Sequence, residues 1–152
     1  MKVVLLTKGA KVPQRAKEGD AGYDLFCPEN QIIFPGRNLV PLGISIQLDP
    51  HTEAQIRPRS GFSLKGIEGY VEDPENIRRF DADVLIGTID EGYTGIIGVI
   101  IKSYETKPFT IKLGTKIAQM VISHYVDAPF EIVDKLDETE RGANGFGHTG
   151  SK

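Results

Sequence analysis

Glu53-Ala54-Gln55-Ile56-Arg57 alternates polar and apolar residues at every step. A two-residue period puts Ala54 and Ile56 on one face and Glu53, Gln55 and Arg57 on the other, which is the pattern of a half-buried β-strand. Ile44-Ser45-Ile46-Gln47-Leu48 precedes it with the same alternation, and Phe109-Thr110-Ile111-Lys112-Leu113 repeats it downstream. Apolar runs rich in β-branched residues from Val3 to Leu6, Gly95 to Ile101 and Ile117 to Ile122 read as further strands. Proline and glycine punctuate these runs at Pro35-Gly36, Pro41, Pro50, Gly92, Gly114 and Pro129. Many short strands at regular spacing imply an all-β sandwich or barrel. No segment carries a long apolar stripe of helical period. The best helix candidate is short, around Pro74 to Arg79, with Asp73 as N-cap and Pro74 at the first position.

A chain of 152 residues fits one domain with a real core. Hydrophobic residues make up 39% and charged residues 26%, which is ordinary for a folded globular protein. The net charge of −3 argues against a general nucleic-acid binder, which needs a basic face, but leaves room for a single nucleotide. Cys27 is the only cysteine, so no internal disulfide and no CxxC zinc site can form. That reading points to a reducing, cytoplasmic setting. The apolar runs at the N-terminus and at Ile96 to Ile101 are too short for a signal peptide or a membrane span. No internal repeat and no interdomain linker is visible. The stretch from Asp137 to Lys152 is polar and glycine-rich, with Phe146 as its one large apolar residue, and cannot bury enough surface to fold alone. It is either a frayed tail or a segment that closes over a ligand, with the ring stacking and Arg141 meeting an anion.

Four other segments concentrate polar chemistry. Gly87-Thr88-Ile89-Asp90-Glu91-Gly92-Tyr93-Thr94-Gly95 sets a carboxylate and an aromatic ring three residues apart in a glycine-built turn. It is either a hairpin tip or a site where backbone groups read a flat ligand while Asp90 handles a water and Tyr93 packs on the ligand. Arg57-Pro58-Arg59-Ser60-Gly61 ends the alternating strand with two cations, a hydroxyl and a glycine, suited to phosphate, especially if a short helix begins there. Ala21-Gly22-Tyr23-Asp24-Leu25 is a turn entering a strand, with Asp24 either a turn residue or a carboxylate acting on a metal through water. In Gly114 to Val121, Gln119 is the uncharged polar side chain inside an apolar run, either a core hydrogen-bonder or a ligand donor. Together these are the parts of a nucleoside polyphosphate site. There is no GxxxxGK[ST] loop and no zinc-deaminase signature.

These segments and the one from Arg141 to Gly150, in this order, resemble the five motifs of the trimeric deoxyuridine triphosphate nucleotidohydrolases, the dUTPases. The resemblance spans almost the whole chain. It implies a distorted jelly-roll β-barrel with a short helix, a barrel domain over residues 1–136, and a flexible C-terminal lid over residues 137–152. It implies Mg2+-dependent hydrolysis of dUTP to dUMP and pyrophosphate, limiting dUTP for DNA synthesis and supplying dUMP for dTMP synthesis. By that resemblance Asp90 activates a water for in-line attack on the α-phosphorus, and Tyr93 stacks under the deoxyribose and excludes a 2′-hydroxyl. Backbone groups of the hairpin, including Gly87 and Ile89, read the uracil edge. Arg59, Ser60 and Gly61 hold the phosphates and Gln119 donates on the α-phosphate side. Asp24 acts on Mg2+ only through water, the ion being held chiefly by the substrate. Phe146 covers the uracil, and Arg141, Gly147, His148 and Thr149 belong to the γ-phosphate end. A homotrimer with shared sites, in the cytoplasm or a host cell, is also implied, with neither nucleic acid nor membrane as partner.

The sequence departs from the family pattern in four places. The interval from Ser60 to Asp90 is long and holds an insertion from Glu68 to Phe80. Asp83-Val84-Leu85-Ile86 is bulky ahead of Asp90. His148 replaces a common serine. Thr115-Lys116 replaces the more usual acidic-basic pair, which mainly touches a strand turn. Two other readings compete: a dCTP deaminase or bifunctional relative on the same fold, and a nucleotide- or protein-binding module that uses the insertion for a partner.

Overall fold

The computed structural model describes residues 1–143. Phe146, Gly147, His148 and Thr149 lie outside the described residues. The described chain forms twelve strands and one helix: β1 (Lys2–Leu5), β2 (Gly22–Phe26), β3 (Gln31–Ile33), β4 (Gly36–Gln47), β5 (Thr52–Arg57), α1 (Ser60–Lys65), β6 (Ile67–Gly69), β7 (Arg78–Phe80), β8 (Ala82–Leu85), β9 (Gly87–Ile89), β10 (Ile96–Ser103), β11 (Phe109–Ile111) and β12 (Lys116–His124). Two four-stranded antiparallel sheets, ordered β1-β4-β10-β8 and β2-β12-β5-β9, pack face to face, with two small ribbons, β11-β3 and β6-β7, beside them. This is a distorted jelly roll. No helix among the described residues is long and apolar enough to cross a membrane.

The alternation read from the sequence becomes the core. Ala54 and Ile56 of β5 point inward with Leu25, Ala118 and Met120, against Val40, Leu42, Ile44 and Ile46 of β4 and Ile97, Val99 and Ile101 of β10. Burying side chains of this size stabilises the fold by about 1.5–3 kcal/mol each.

Two expectations change. Pro41 does not end a strand: β4 runs through it from Gly36 to Gln47. The proline is accommodated because β1 pairs only with residues 44–47, so one edge of β4 is open at Pro41, and the pairing with β10 shifts register between Ile96 and Gly98. Pro74 to Arg79 is not a helix. Asp73 takes the Glu75 N–H on its side chain at 2.9 Å and the Asn76 N–H on its carbonyl at 3.0 Å, which closes a turn instead. Pairing then wins over a short helix: β7 aligns Phe80 with Ile67 of β6, both are buried, and the Phe80 ring stacks on Phe109 at 4.1 Å. The Glu68–Phe80 insertion is therefore most of a β-hairpin. The helix that does form begins at Ser60, held by buried Phe62 and closed by the Gly66 N–H on the Phe62 carbonyl at 2.8 Å.

Candidate functional site

Three strands bring the first group of candidates together. Gln119 of β12 lies opposite Asp24 of β2 on one side and Arg57 of β5 on the other. Residues directly opposite share a face, so Asp24, Gln119 and Arg57 form one outward row. Where β5 ends, the chain turns through Pro58 and Arg59 into α1. The row and the helix start enclose a cleft of about 430 Å3 lined by Asp24, Arg57, Arg59, Ser60, Gly61 and Gln119, with the loop of Ala16, Asp20 and Ala21 as its rim.

The charges in this cleft are already matched. Asp24 is buried, and its two oxygens bind Arg59 Nε at 2.9 Å and Lys116 Nζ at 2.7 Å. The Thr115-Lys116 pair is expected mainly to touch a strand turn; in the structure Lys116 also reaches Asp24, because β12 begins there beside β2. The Gln119 amide donates to the Pro58 carbonyl at 2.9 Å and lies at the edge of the cleft. Gly22 is tied to that anchor. A Cβ on Gly22 would sit 2.1 Å from Gln119 Oε1. Arg57 donates to the Gln55 side-chain Oε1 through Nε at 3.1 Å and a terminal nitrogen at 2.8 Å.

The second group lies elsewhere. Gly87, Thr88, Ile89, Asp90 and Tyr93 line a cleft of about 290 Å3 with apolar Leu39, Ile96 and Ile100. β9 is the edge of its sheet, paired only with β5, so one side of its backbone is open. Ile89 points its side chain into the core, so only its backbone can face a ligand. The Tyr93 N–H donates to the Asp90 carbonyl at 3.0 Å, closing the turn. The half-exposed Tyr93 ring lies over Gly95, where a Cβ would come within 2.5 Å of its hydroxyl, and that hydroxyl donates to the Ile96 carbonyl at 3.0 Å. Asp90 is exposed, and its carboxylate has no hydrogen bond or ion pair among the described residues. A Cβ added at Gly87, Gly92 or Gly61 would meet nothing within 4 Å.

The two groups are far apart in one chain. Ala54 of β5 lies opposite Ile89, and Arg57 lies opposite Gln119. Asp90 therefore falls near the level of Glu53, four residues from the Arg57 row, or about 13 Å along the sheet. Arg141 is exposed in a turn in which the Gly142 N–H bonds Thr139. The sequence reading named Arg57 in its motif but not among the site residues, and it passed over Ala16, Asp20 and Lys116. Strand parity from Gln119 would have found Arg57; the loop and Lys116 depend on pairings that no local pattern shows.

No group of three or more His, Cys, Asp or Glu side chains able to hold a metal exists among the described residues. A further cavity of about 460 Å3 lies away from both clefts, between the turn of the β6–β7 hairpin and residues 105–108. Its lining mixes Glu72, Asp73 and Glu105 with Arg78 and Lys107, with no convergent donor set.

The dUTPase family model matches the chain in two stretches, residues 8–78 and 76–150, which meet inside the β6–β7 hairpin. A deoxyuridine 5′-triphosphate nucleotidohydrolase of Clostridium tetani is 46% identical over 151 residues, covering 99% of this chain and 96% of the relative. One from Gloeothece citriformis is 44% identical with the same coverage. Among solved structures, a mutant dUTPase of Staphylococcus bacteriophage 80alpha with dUpNHpp superposes with a TM-score of 0.82 at 24% identity, covering 99% of this chain and 98% of that one. A mutant phage phi11 dUTPase described with a structural Mg(II) ion has a TM-score of 0.74 at 22% identity, covering 88% and 96%.

Proposed function

The chain belongs to the dUTPase family, and we propose that it hydrolyses dUTP to dUMP and pyrophosphate in nucleotide metabolism, as a homotrimer whose sites are shared between copies. The observation that carries the shared site is the distance between the two clefts. Gln119 is to donate to the α-phosphate, and Asp90 is to take a proton from a water on the same phosphorus. Two groups acting on one phosphorus cannot lie about 13 Å apart along a sheet. One copy supplies the cradle and another supplies the turn.

The surface agrees with that arrangement. The turn cleft opens onto an uncovered apolar face of the first sheet, where Leu39 is 65% exposed and Ile86 67%. Past His124 the chain leaves the second sheet, and its Phe130 and Ile132 are fully exposed. Apolar groups of that size left in water mark a contact surface.

Within the joined site, each residue has a distinct task. The exposed Asp90 carboxylate accepts the proton of the attacking water. The open backbone edge of Gly87 to Ile89 reads the uracil, and the space beside Gly87 leaves room for it. A base with the wrong edge is rejected because groups are left unpaired. Tyr93, folded over Gly95, forms the floor under the deoxyribose and excludes a 2′-hydroxyl. Arg59, Ser60 and Gly61 receive the phosphates, with Gln119 on the α-phosphate side. Asp24 holds Arg59 and Lys116 in place. With both oxygens so engaged it does not suit direct ligation of a cation, and it fits Mg2+ carried by the triphosphate with its own waters. When bound, that ion offsets charge on the phosphate oxygens. Arg141, Phe146, Gly147, His148 and Thr149 form a lid segment over the base and the γ-phosphate. Buried, unpaired Cys27 fits a cytoplasmic setting.

The test is pyrophosphate release with Mg2+ from dUTP, dCTP, dTTP and UTP side by side. Release from dUTP alone supports the reading with both of its discriminations. Release from dCTP would move the chain toward deaminase relatives, and release from none would leave a binding module.

A further inference from the structure

The turn that carries Asp90 is soft by composition. Gly92 and Gly95 flank Tyr93, and the tip is exposed. Acid–base catalysis tolerates little misplacement of the acceptor. Something must hold this turn, and the Tyr93 hydroxyl, bound three residues away, holds only its far limb.

Glu91 reaches outside the turn. Its Oε2 accepts the Tyr125 hydroxyl at 2.6 Å and the His51 backbone N–H at 2.8 Å. These partners are 34 and 40 residues away, on two other elements: the end of β12 and the β4–β5 turn. The partners are also tied to each other. The His51 carbonyl accepts the Tyr125 N–H at 3.2 Å and lies 3.2 Å from His124 Nδ1, and the His51 and Tyr125 rings meet edge-on at 6.3 Å.

His51 shows that this knot is built. It has φ of 60° and is the single non-glycine residue with positive φ among the described residues. A side chain in the left-handed region costs energy and persists only where surrounding contacts hold it. Here the conformation lets one residue use its N–H on Glu91 and its carbonyl on Tyr125. The paired donors hold the Glu91 carboxyl below the usual range, the Tyr125 hydroxyl first and the His51 amide second. The acceptor is thus a carboxylate at neutral pH. Tyr125 is also where the chain leaves β12, so the same knot fixes the root of the C-terminal segment.

We propose that Glu91, through Tyr125 and the backbone of His51, is a positioning residue that sets the Asp90 carboxylate for proton transfer. The proposal rests on the hydrolysis of dUTP argued above. Glu91 lines neither cleft, and Tyr93 is held separately through its hydroxyl on the Ile96 carbonyl, so the loss of Glu91 falls chiefly on the placement of Asp90.

The test is steady-state hydrolysis of dUTP by the full-length protein, with wild type measured first, at a temperature well below every variant's unfolding midpoint. In Glu91→Ala, kcat falls roughly ten- to a hundredfold, the range that follows an ångström-scale misplacement, while KM stays near wild type. Glu91→Gln keeps one oxygen able to accept both bonds and recovers most of kcat. Tyr125→Phe loses one hydroxyl and falls between them. The double variant Glu91→Ala/Tyr125→Phe is no slower than Glu91→Ala, because both remove the same bond. If Glu91→Ala does not fold, Tyr125→Phe decides: an unchanged kcat overturns the proposal. Unchanged kcat in a folded Glu91→Ala, or a Gln variant as slow as Ala, also overturns it. A wild type that releases no pyrophosphate overturns the activity reading and this proposal with it, whereas an active wild type with an indifferent Glu91→Ala overturns this proposal alone.

Discussion

In the cradle, Asp24 holds Arg59 and Lys116 at 2.9 and 2.7 Å and Gln119 rests on Pro58; in the turn, the Asp90 carboxylate has no partner among the described residues and Tyr93 holds only its own loop. The cradle resembles a protein interior, with donors fixed before any ligand arrives. Its cations are oriented by a buried carboxylate, so a polyanion meets them already aligned. The turn is the opposite case. A proton acceptor already engaged in an ion pair would have to give it up before reaching a water, so the open carboxylate of Asp90 suits the role proposed for it. One chain thus keeps a finished half and an open half, and in the proposed account the open half has support from behind through Glu91 and a cover in front from another copy.

The comparison breaks most visibly at Asp90. Asp90→Asn removes the proton acceptor and keeps the shape, so dUTP binding persists while turnover falls by roughly 10²–10⁴-fold. Titration with a non-hydrolysable analogue beside single-turnover rates checks this, and full activity in the variant would assign the base elsewhere. Removing residues from Arg141 onward leaves the barrel folded, since among the described residues no strand or helix and no buried side chain is found past His124, and it slows hydrolysis sharply. Sedimentation and circular dichroism report the fold; an unfolded truncation would make this segment structural. In the cradle the smaller lever is Gly22→Ala. Its Cβ would meet Gln119 Oε1 at 2.1 Å, so the amide must leave its seat on Pro58, and KM rises with little change in the unfolding midpoint. The smallest effect lies where the cradle strand β2 runs into the core. Burial pushes the Cys27 thiol from 9.0 up to about 11. The folded protein then keeps a proton that the unfolded chain loses, so stability falls as pH climbs through that window. Urea unfolding at several pH values shows a smaller fall in Cys27→Ala than in wild type, the remainder coming from Tyr104 and Tyr125, whose hydroxyls are also held above their usual range by bonds to Asp83 and Glu91.

Legibility in the sequence followed the same divide. Strands with a clean two-residue period, such as Glu53 to Arg57, were readable because one face is buried and the other wet. The motif residues were readable as segments, each with its own composition. What could not be read is what depends on pairing across the fold. Lys116 looked like a turn residue because nothing local ties it to Asp24. Pro41 looked like a strand end because its tolerance depends on how far β1 extends. The Asp73-Pro74 start looked helical because an Asx turn and an N-cap use the same hydrogen bond, and only the pairing of Phe80 with Ile67 decides between them. The knot around Glu91 joins residues 40 apart through a backbone conformation that no sequence pattern marks.

The most direct test of the divided site is complementation between two dead proteins. Asp90→Asn lacks the acceptor, and Arg59→Ala/Ser60→Ala lacks the cradle. Each alone is expected to hydrolyse dUTP poorly. Unfolded together at equal concentration and refolded, they form mixed assemblies in which about a quarter of the sites join an intact turn from one chain to an intact cradle from the other. Recovered pyrophosphate release near that fraction of the wild-type rate is the predicted result. A mixture as inactive as its two parents, with mixed assemblies shown to form, would place both halves of each site in a single chain and contradict the account.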